Sequence, residues 1–394
     1  MGGGHGELYG DVQGPVMPRT VLNGIDMTKM LSRVLKFGPN TKFVQGAFAS
    51  CGSSEAVGQE HIECAIRVNK ARQEPDAIEL ATVEEVGAIN DYCLSMHDVN
   101  DKQCVIGQVR NPVGGPPHAF VWPAGQVILD IGTFGGPFSN AFCVNDKNQV
   151  VGTAHVDNSA AHAFLWQEGH GLRDLGTLGG RDSVGRSINK SCQVVGESFV
   201  GTGDPSQEAQ RAFLWTPDGG MIDLGRAFEG WSRAREISDN GVVLGCRLRG
   251  AVVCGFVWSA DMGVIDLVGA GGRPFYPCAI NNVGLVIGEG DDSFGKRRAF
   301  CWTREQGLRQ LTVADDFHPC DVDQHGNIAG NVHSRPWNRP YLFNSITGDF
   351  LPLPFVEDHH TSVKAINDSG VIVGAAWTGS WKHTHPLVWH LLNG

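Results

Sequence analysis

Val144-Asn145-Asp146, Val150-Val151-Gly152, His162-Ala163-Phe164-Leu165-Trp166 and Asp174-Leu175-Gly176-Thr177-Leu178-Gly179-Gly180 are four short apolar segments in succession, each ended by turn-forming residues. The same order recurs along the chain. The glycine of the second segment returns at Gly107, Gly152, Gly196, Gly245, Gly288, Gly330 and Gly374, at spacings of 42 to 49 residues. A period of that length with four strands per unit is the signature of a propeller blade. One such unit cannot bury both of its faces alone, so the repeat itself implies a ring.

Strand one of each unit ends at Val99-Asn100, Val144-Asn145, Ile188-Asn189, Ile237-Ser238, Ile280-Asn281, Val322-Asp323 or Ile366-Asn367. Polar turns such as Asp239-Asn240-Gly241 and Asp368-Ser369-Gly370 follow, of the kind that closes a hairpin. Strand two carries the periodic glycine. Strand three is His118-Ala119-Phe120-Val121-Trp122 and its counterparts ending at Trp166, Trp215, Trp258, Trp302 and Trp389. Strand four is Ile128-Leu129-Asp130-Ile131-Gly132 and its kin. Alternation and β-branched enrichment make these strands rather than helices. The expected fold is all-β, a closed propeller of four-stranded blades.

These residues resemble the HAF repeats, named for the tripeptide seen at His118-Ala119-Phe120 and His162-Ala163-Phe164, and share with them the Asp-Leu-Gly-Thr-Leu-Gly-Gly run at 174–180. The resemblance covers residues 88–394 and implies a β-propeller, without implying one shared chemistry. The sixth unit departs from it, with Tyr341-Leu342-Phe343 in place of the tripeptide. Upstream, Glu55-Ala56-Val57-Gly58, Cys64 to Val68 and Ala77 to Leu80 read as a worn unit within 35–87, which favours eight blades narrowly over seven. The last unit stops after Trp389-His390-Leu391-Leu392 without a fourth strand. Propellers fill such a gap from the other end of the chain, which removes a sheet edge. Eight blades would take that strand from about residues 5–25; seven would take it near Ile78–Val83. Met27 to Leu35 has apolar residues at helical spacing, so residues 1–34 are expected to hold the closing strand and a short helix outside the ring.

The chain has 394 residues, 41% of them hydrophobic, and 53 glycines, enough for a large core but too turn-rich for a helical protein. A formal net charge of −11 argues against a general binder of nucleic acid or anionic membranes. No stretch approaches the ~18 consecutive apolar residues of a membrane span. Met1-Gly2-Gly3-Gly4-His5-Gly6-Glu7 has neither the basic nor the apolar region of a secretory signal. Eleven cysteines without CxxC spacing favour reduced thiols and a cytoplasmic setting. A monomer is expected.

In a propeller the loops joining strands two to three and four to one share a face, and here they are long and individual, as at 199–210 and 375–384. Variable loops on a rigid scaffold are where binding groups sit. Six tryptophans close strand three and read as blade core. Trp231, Trp337, Trp377 and Trp381 fall off the pattern on the long-loop face, either as an apolar ligand site or as blade caps. Counting two residues back from the end of strand one gives His97, Phe142, Arg186, Arg235, Cys278, Cys320 and Lys364; counting four gives Ser95, Asn140, Val184, Arg233, Tyr276, His318 and Ser362. These alternate positions should face the channel. The cations among them imply an anionic ligand, unless Asp98, Glu236 and Asp321 one residue along neutralise them.

The reading is therefore an enzyme for an anionic, partly apolar small molecule. Arg186, Arg233, Arg235, Lys364 and Tyr276 would bind its polar part, and the four tryptophans its apolar part. His97, His318 and Glu289 are the proton-transfer candidates, for lyase, isomerase or cyclase chemistry. No cofactor is expected; Glu197 and Glu289 beside His97 or His318 leave room for a divalent metal. Cys278 and Cys320 read as a thiol nucleophile, a soft-metal pair or small buried hydrophobes. The rival reading is a non-catalytic module that holds a peptide or glycan on the same face.

Overall fold

The computed structural model describes residues 81–85, 93–110, 115–157, 160–201, 209–228, 230–269, 272–333, 336–378 and 384–392. Seven four-stranded antiparallel sheets follow one another as the blades of a propeller. Blade one is β2 (Cys93–Val99), β3 (Val105–Arg110), β4 (His118–Trp122) and β5 (Leu129–Asp130). Blade two is β6 (Ser139–Val144), β7 (Val150–His155), β8 (Ala161–Gln167) and β9 (Gly171–Asp174). Blade three is β10 (Gly179–Ile188), β11 (Val194–Val200), β12 (Ala209–Thr216) and β13 (Gly220–Asp223). Blade four is β14 (Ser232–Ile237), β15 (Val243–Arg249), β16 (Val252–Ser259) and β17 (Gly263–Leu267). Blade five is β18 (Phe275–Ile280), β19 (Val286–Asp291), β20 (Arg297–Thr303) and β21 (Gly307–Gln310). Blade six is β22 (Phe317–Val322), β23 (Asn327–Val332), β24 (Arg339–Asn344) and β25 (Phe350–Pro352). Blade seven joins β26 (His360–Ile366), β27 (Val371–Trp377) and β28 (Thr384–Leu391) to β1 (Ala81–Glu85).

The ring closes at seven blades, not the eight narrowly favoured above. β1 pairs antiparallel with β28, Val83 opposite Trp389, so the missing fourth strand comes from the segment that the seven-bladed alternative named. Blade one packs directly on blade seven: Met96, Phe120 and Trp122 share a core cluster with Ala365, Val371 and Val373, which leaves no slot for another sheet. The worn unit was expected within 35–87, the helix at 27–35 and the other closing strand at 5–25; apart from 81–85, all lie outside the described residues.

The core lies between blades, and this explains the His-Ala-Phe pattern. Ala119 and Val121 of blade one meet Ala141, Val150 and Phe164 of blade two, while Phe120 faces back toward blade seven. Phe120, Phe164, Phe213 and Phe256 are wholly buried. The alanine is small because the next sheet packs straight onto it; each phenylalanine contributes about 2–3 kcal/mol of transfer free energy.

In five of the seven blades, the asparagine that follows strand one stitches its blade to the next. Asn100 Nδ2 donates to Asn145 O (2.8 Å), Asn145 Nδ2 to Asn189 O (3.0 Å), Asn189 Nδ2 to Ser238 O (3.2 Å) and Asn281 Nδ2 to Asp323 O (2.9 Å). Asn367 Nδ2 donates to Asn100 O at 2.7 Å and completes the circle. The start of strand three is tied to strand four by His118 with Asp130, His162 with Asp174 and Arg211 with Asp223. In blade four, Arg247 of strand two takes that role with Asp266.

Candidate functional site

Every innermost strand carries a β-bulge at the same place. In blade one Met96 pairs with Gly107 and Asp98 with Ile106, so His97 has no partner across the ladder. The same skip isolates Phe142, Arg186, Arg235, Cys278, Cys320 and Lys364 in the other six blades. A bulge adds a residue, bends the strand and re-aims side chains. It also accounts for the periodic glycine. A Cβ at Gly107, Gly152, Gly196 or Gly374 would fall on the carbonyl oxygen of Ser95, Asn140, Val184 or Ser362, on the strand the bulge has pushed toward it.

The seven bulge residues line one central cavity of about 270 Å³. Sequence counting placed them there correctly. It missed that the next residue along, including Asp98, Glu236 and Asp321, also lines the cavity. A strand with regular alternation would hide that residue, whereas the bulge turns both toward the channel.

The cations divide into two kinds. Arg186 Nε donates to both oxygens of Glu197 (3.0 and 3.1 Å), a carboxylate only 3% exposed, and its guanidinium lies over the Phe142 ring. Arg186 is thus neutralised from within. Arg233, Arg235 and Lys364 form no ion pair among the described residues. Arg235 Nε donates to the Cys278 carbonyl (2.9 Å), Arg233 sits 5.5 Å from the Trp231 ring centroid, and Arg233 Nε is buried without a partner.

The three neighbouring carboxylates do not neutralise them. Asp98 accepts from Val144 N of blade two (2.9 Å), Glu236 from Ile280 N of blade five (2.8 Å) and Asp321 from Ile366 N of blade seven (2.9 Å). They are latches between blades. Burial pushes all three above the ordinary carboxylate range, Asp321 to about 7; the Asp321 charge raises Glu236 further, against the opposing pull of Arg235. A carboxylate that holds its proton leaves the cavity more positive than a count of residues suggests.

His97 lines the cavity. Its Nδ1 lies 2.8 Å from the Ala141 carbonyl and its Nε2 lies 3.0 Å from Ser95 Oγ. Burial holds the imidazole below its ordinary value despite the Ala141 bond, and Lys364 lowers it further. His318 and Glu289 do come together, Nδ1 to Oε1 at 2.5 Å, and that carboxylate raises His318. The pair sits outside the cavity lining, and His318 stacks on His333 with centroids 4.0 Å apart. The three proton-transfer candidates therefore do not form one constellation. His318 stands two residues before its bulge, bound to Glu289 and stacked on His333 rather than turned into the cavity.

The tryptophans fall in two places rather than one. Trp231 Nε1 donates to Gln210 Oε1 (2.6 Å) beside Arg233, whereas Trp337 and Trp377 flank His360 at 5.1 and 5.4 Å between blades six and seven. Their loops belong to different blades and are spread round the ring. Trp381 lies outside the described residues. Tyr276 is 37% exposed under the Arg297 guanidinium and outside the cavity lining. Cys278 and Cys320 are thiols: burial raises Cys278 well above its ordinary value and Cys320 to about 11, which removes the nucleophile reading. Among the described residues no three His, Cys, Asp or Glu side chains are arranged to hold a metal, and no helix is long and apolar enough to cross a membrane.

Neither a protein-family model nor a curated protein matches the chain. Solved structures match it in shape. The β-propeller domain of the trilobed protease from Pyrococcus furiosus is 9% identical with a TM-score of 0.56, over 77% of this chain and 98% of that one. An oligogalacturonate lyase in complex with manganese is 11% identical with a TM-score of 0.53, over 80% and 99%. The acylaminoacyl peptidase of Pyrococcus horikoshii is 8% identical with a TM-score of 0.53, over 77% of this chain, which spans about half (52%) of the peptidase. At such identities the likeness is one of fold.

Proposed function

We propose that the channel mouth binds a small anionic molecule, and that the protein is a cofactor-free enzyme acting on it by proton transfer, of lyase, isomerase or cyclase type. One observation carries the reading: Arg233, Arg235 and Lys364 converge on a cavity of about 270 Å³ and form no ion pair with a carboxylate among the described residues. Like charges held together repel, and an anion between them removes that cost. The volume suits a compact carboxylate or phosphate ester. His97, whose imidazole burial holds below its ordinary value, supplies a base beside them, and Trp231, outside the cavity lining, offers an apolar surface next to Arg233. Arg186, paired with Glu197 and lying over Phe142, is left out of the anion-binding set. A divalent metal is no part of this proposal.

The free thiols fit a reducing, cytoplasmic setting. A single chain with a small-molecule ligand accounts for the features of the channel without nucleic acid or membrane. The separation of His318 and Glu289 from the cavity favours a second reading, a ligand-holding module without turnover.

A thermal-shift panel of mono-, di- and tricarboxylates and phosphate esters tests binding, because a ligand of the native state raises its apparent stability. At least one compound should stabilise the wild type saturably. Arg235→Ala and Lys364→Ala should each weaken it about 10- to 100-fold, the value of a charge-assisted hydrogen bond. A panel without effect, or variants that bind as the wild type does, would overturn the proposal. Recovery of the bound compound unchanged after prolonged incubation would select the second reading.

A further inference from the structure

We propose that Ser95 is a nucleophile activated by His97, giving the channel mouth an ester-cleaving activity that proceeds through an acyl-serine. The pair was not legible as a unit, because a serine four residues before the end of a strand reads as filler. Three observations bring it forward.

The first is the hydrogen-bond geometry. A carbonyl oxygen accepts only, so the 2.8 Å contact to Ala141 O requires the proton on His97 Nδ1. Nε2 then carries the lone pair, and Ser95 Oγ donates to it at 3.0 Å. A nucleophile within reach of a base that a third group orients is the diagnostic arrangement for covalent catalysis. Here the third group is a backbone carbonyl of the next blade.

The second is the bulge. His97 is the residue without a ladder partner, which frees its ring to turn back toward the strand that bears Ser95. Phe142, the bulge residue of blade two, lies nearly parallel to the imidazole (13° between planes) at a centroid distance of 6.2 Å. The third is the surroundings. Ser95 is exposed just outside the cavity lining while His97, bonded to it, lines the cavity, so the hydroxyl is open to a substrate whose remainder enters the channel. Lys364 of blade seven acts electrostatically on His97 and stands where it can attract an anionic acyl group.

The step balances with water as the only co-reactant. Ser95 Oγ forms a bond to the ester carbonyl carbon as its proton passes to His97 Nε2. The tetrahedral adduct collapses by breaking the carbon–oxygen bond to the alcohol, which leaves with the proton from Nε2. Water, deprotonated by Nε2, then adds to the acyl-serine; Ser95 Oγ leaves with that proton, and a carboxylate is released. The class of substrate is an ester with an anionic acyl chain. That preference, unlike the dyad, rests on the channel's reading as an anion site.

An uncharged alkyl fluorophosphonate separates the two. Intact mass and peptide mapping of the wild-type protein should show one adduct, on Ser95. Ser95→Ala should show none, and His97→Gln should react at least about 100-fold more slowly, the range of general-base assistance. No adduct on Ser95 under excess probe, or equal reactivity of a folded His97→Gln, overturns the proposal; if His97→Gln does not fold, the wild-type mapping decides alone. In the wild type, kcat/KM for p-nitrophenyl hydrogen succinate should exceed that for p-nitrophenyl acetate by about 10-fold, one charge-assisted contact. Labelling of Ser95 without that preference upholds the dyad and refutes the anion site. Saturable anion binding without labelling does the reverse.

Discussion

Arg186 and Arg235 occupy the same bulge position in neighbouring blades and do different work. Glu197 sits opposite Arg186 and, at 3% exposure, requires a cation; nothing equivalent faces Arg235, which spends one bond on a backbone carbonyl. The sequence counts both as channel cations, and nothing in the local pattern marks Glu197 as already committed. Removing the guanidinium strands a buried carboxylate. Because Arg186 is itself one-third exposed, Arg186→Leu should cost about 2 kcal/mol rather than the ~3–5 of a fully buried pair. Arg235→Leu should cost less than about 0.5 kcal/mol, as an exposed residue without an ion pair. Urea denaturation of the two variants measures the contrast; equal destabilisation would contradict it.

The strand is where sequence and structure agree most closely. Strand three was legible because its alternation is regular, and tryptophans marked its end in six of the seven units; the sixth carries Tyr341-Leu342-Phe343 instead. Strand one was legible at the bulge position but not two residues earlier, where only Arg233 of the seven expected residues lines the cavity. The bulge breaks period two, and only the glycine opposite betrays it. Gly152 abuts the Asn140 carbonyl and the Phe164 ring, so Gly152→Ala should destabilise by about 3 kcal/mol, the upper range for overpacking. Thermal unfolding of the variant checks this, and an unchanged midpoint would mean that the bulge is dispensable. Asn367 donates to Asn100 O and accepts from Val371 N. Asn367→Ala should therefore lose about 2 kcal/mol, two net hydrogen bonds, and the loss should exceed that of an exposed asparagine such as Asn240 mutated alike.

Blade number belongs to the whole molecule, and there the repeat pattern misled. Glu55 to Gly58 resembles a strand-two segment locally, yet ring closure depends on which strand completes blade seven and on the contact of its sheet with blade one. Period and composition carry neither. The three latch carboxylates are likewise a property of the assembled ring, since each binds an amide of the following blade. Folding raises their affinity for protons, so at intermediate pH the native state holds protons that the unfolded chain has released. Their contribution is complete below the unfolded value of about 4 and is lost as pH rises toward about 7 for Asp321. His318, raised by Glu289, acts in the same direction; His97, lowered by burial, opposes it below its unfolded value. Stability should thus fall between pH 5 and pH 8, and Asp321→Asn, which keeps an acceptor for Ile366 N, should flatten the slope. A midpoint that rises over that interval in the wild type would show that the latches are ionised without penalty.

The account turns on the channel mouth as an anion site. Crystals soaked in selenate and measured at the selenium edge test it most directly. The predicted result is an anomalous peak inside the cavity within contact of Arg233, Arg235 and Lys364, and away from Arg186. Selenate found on the outer surface alone, with the cavity free of it at saturating concentration, would contradict it.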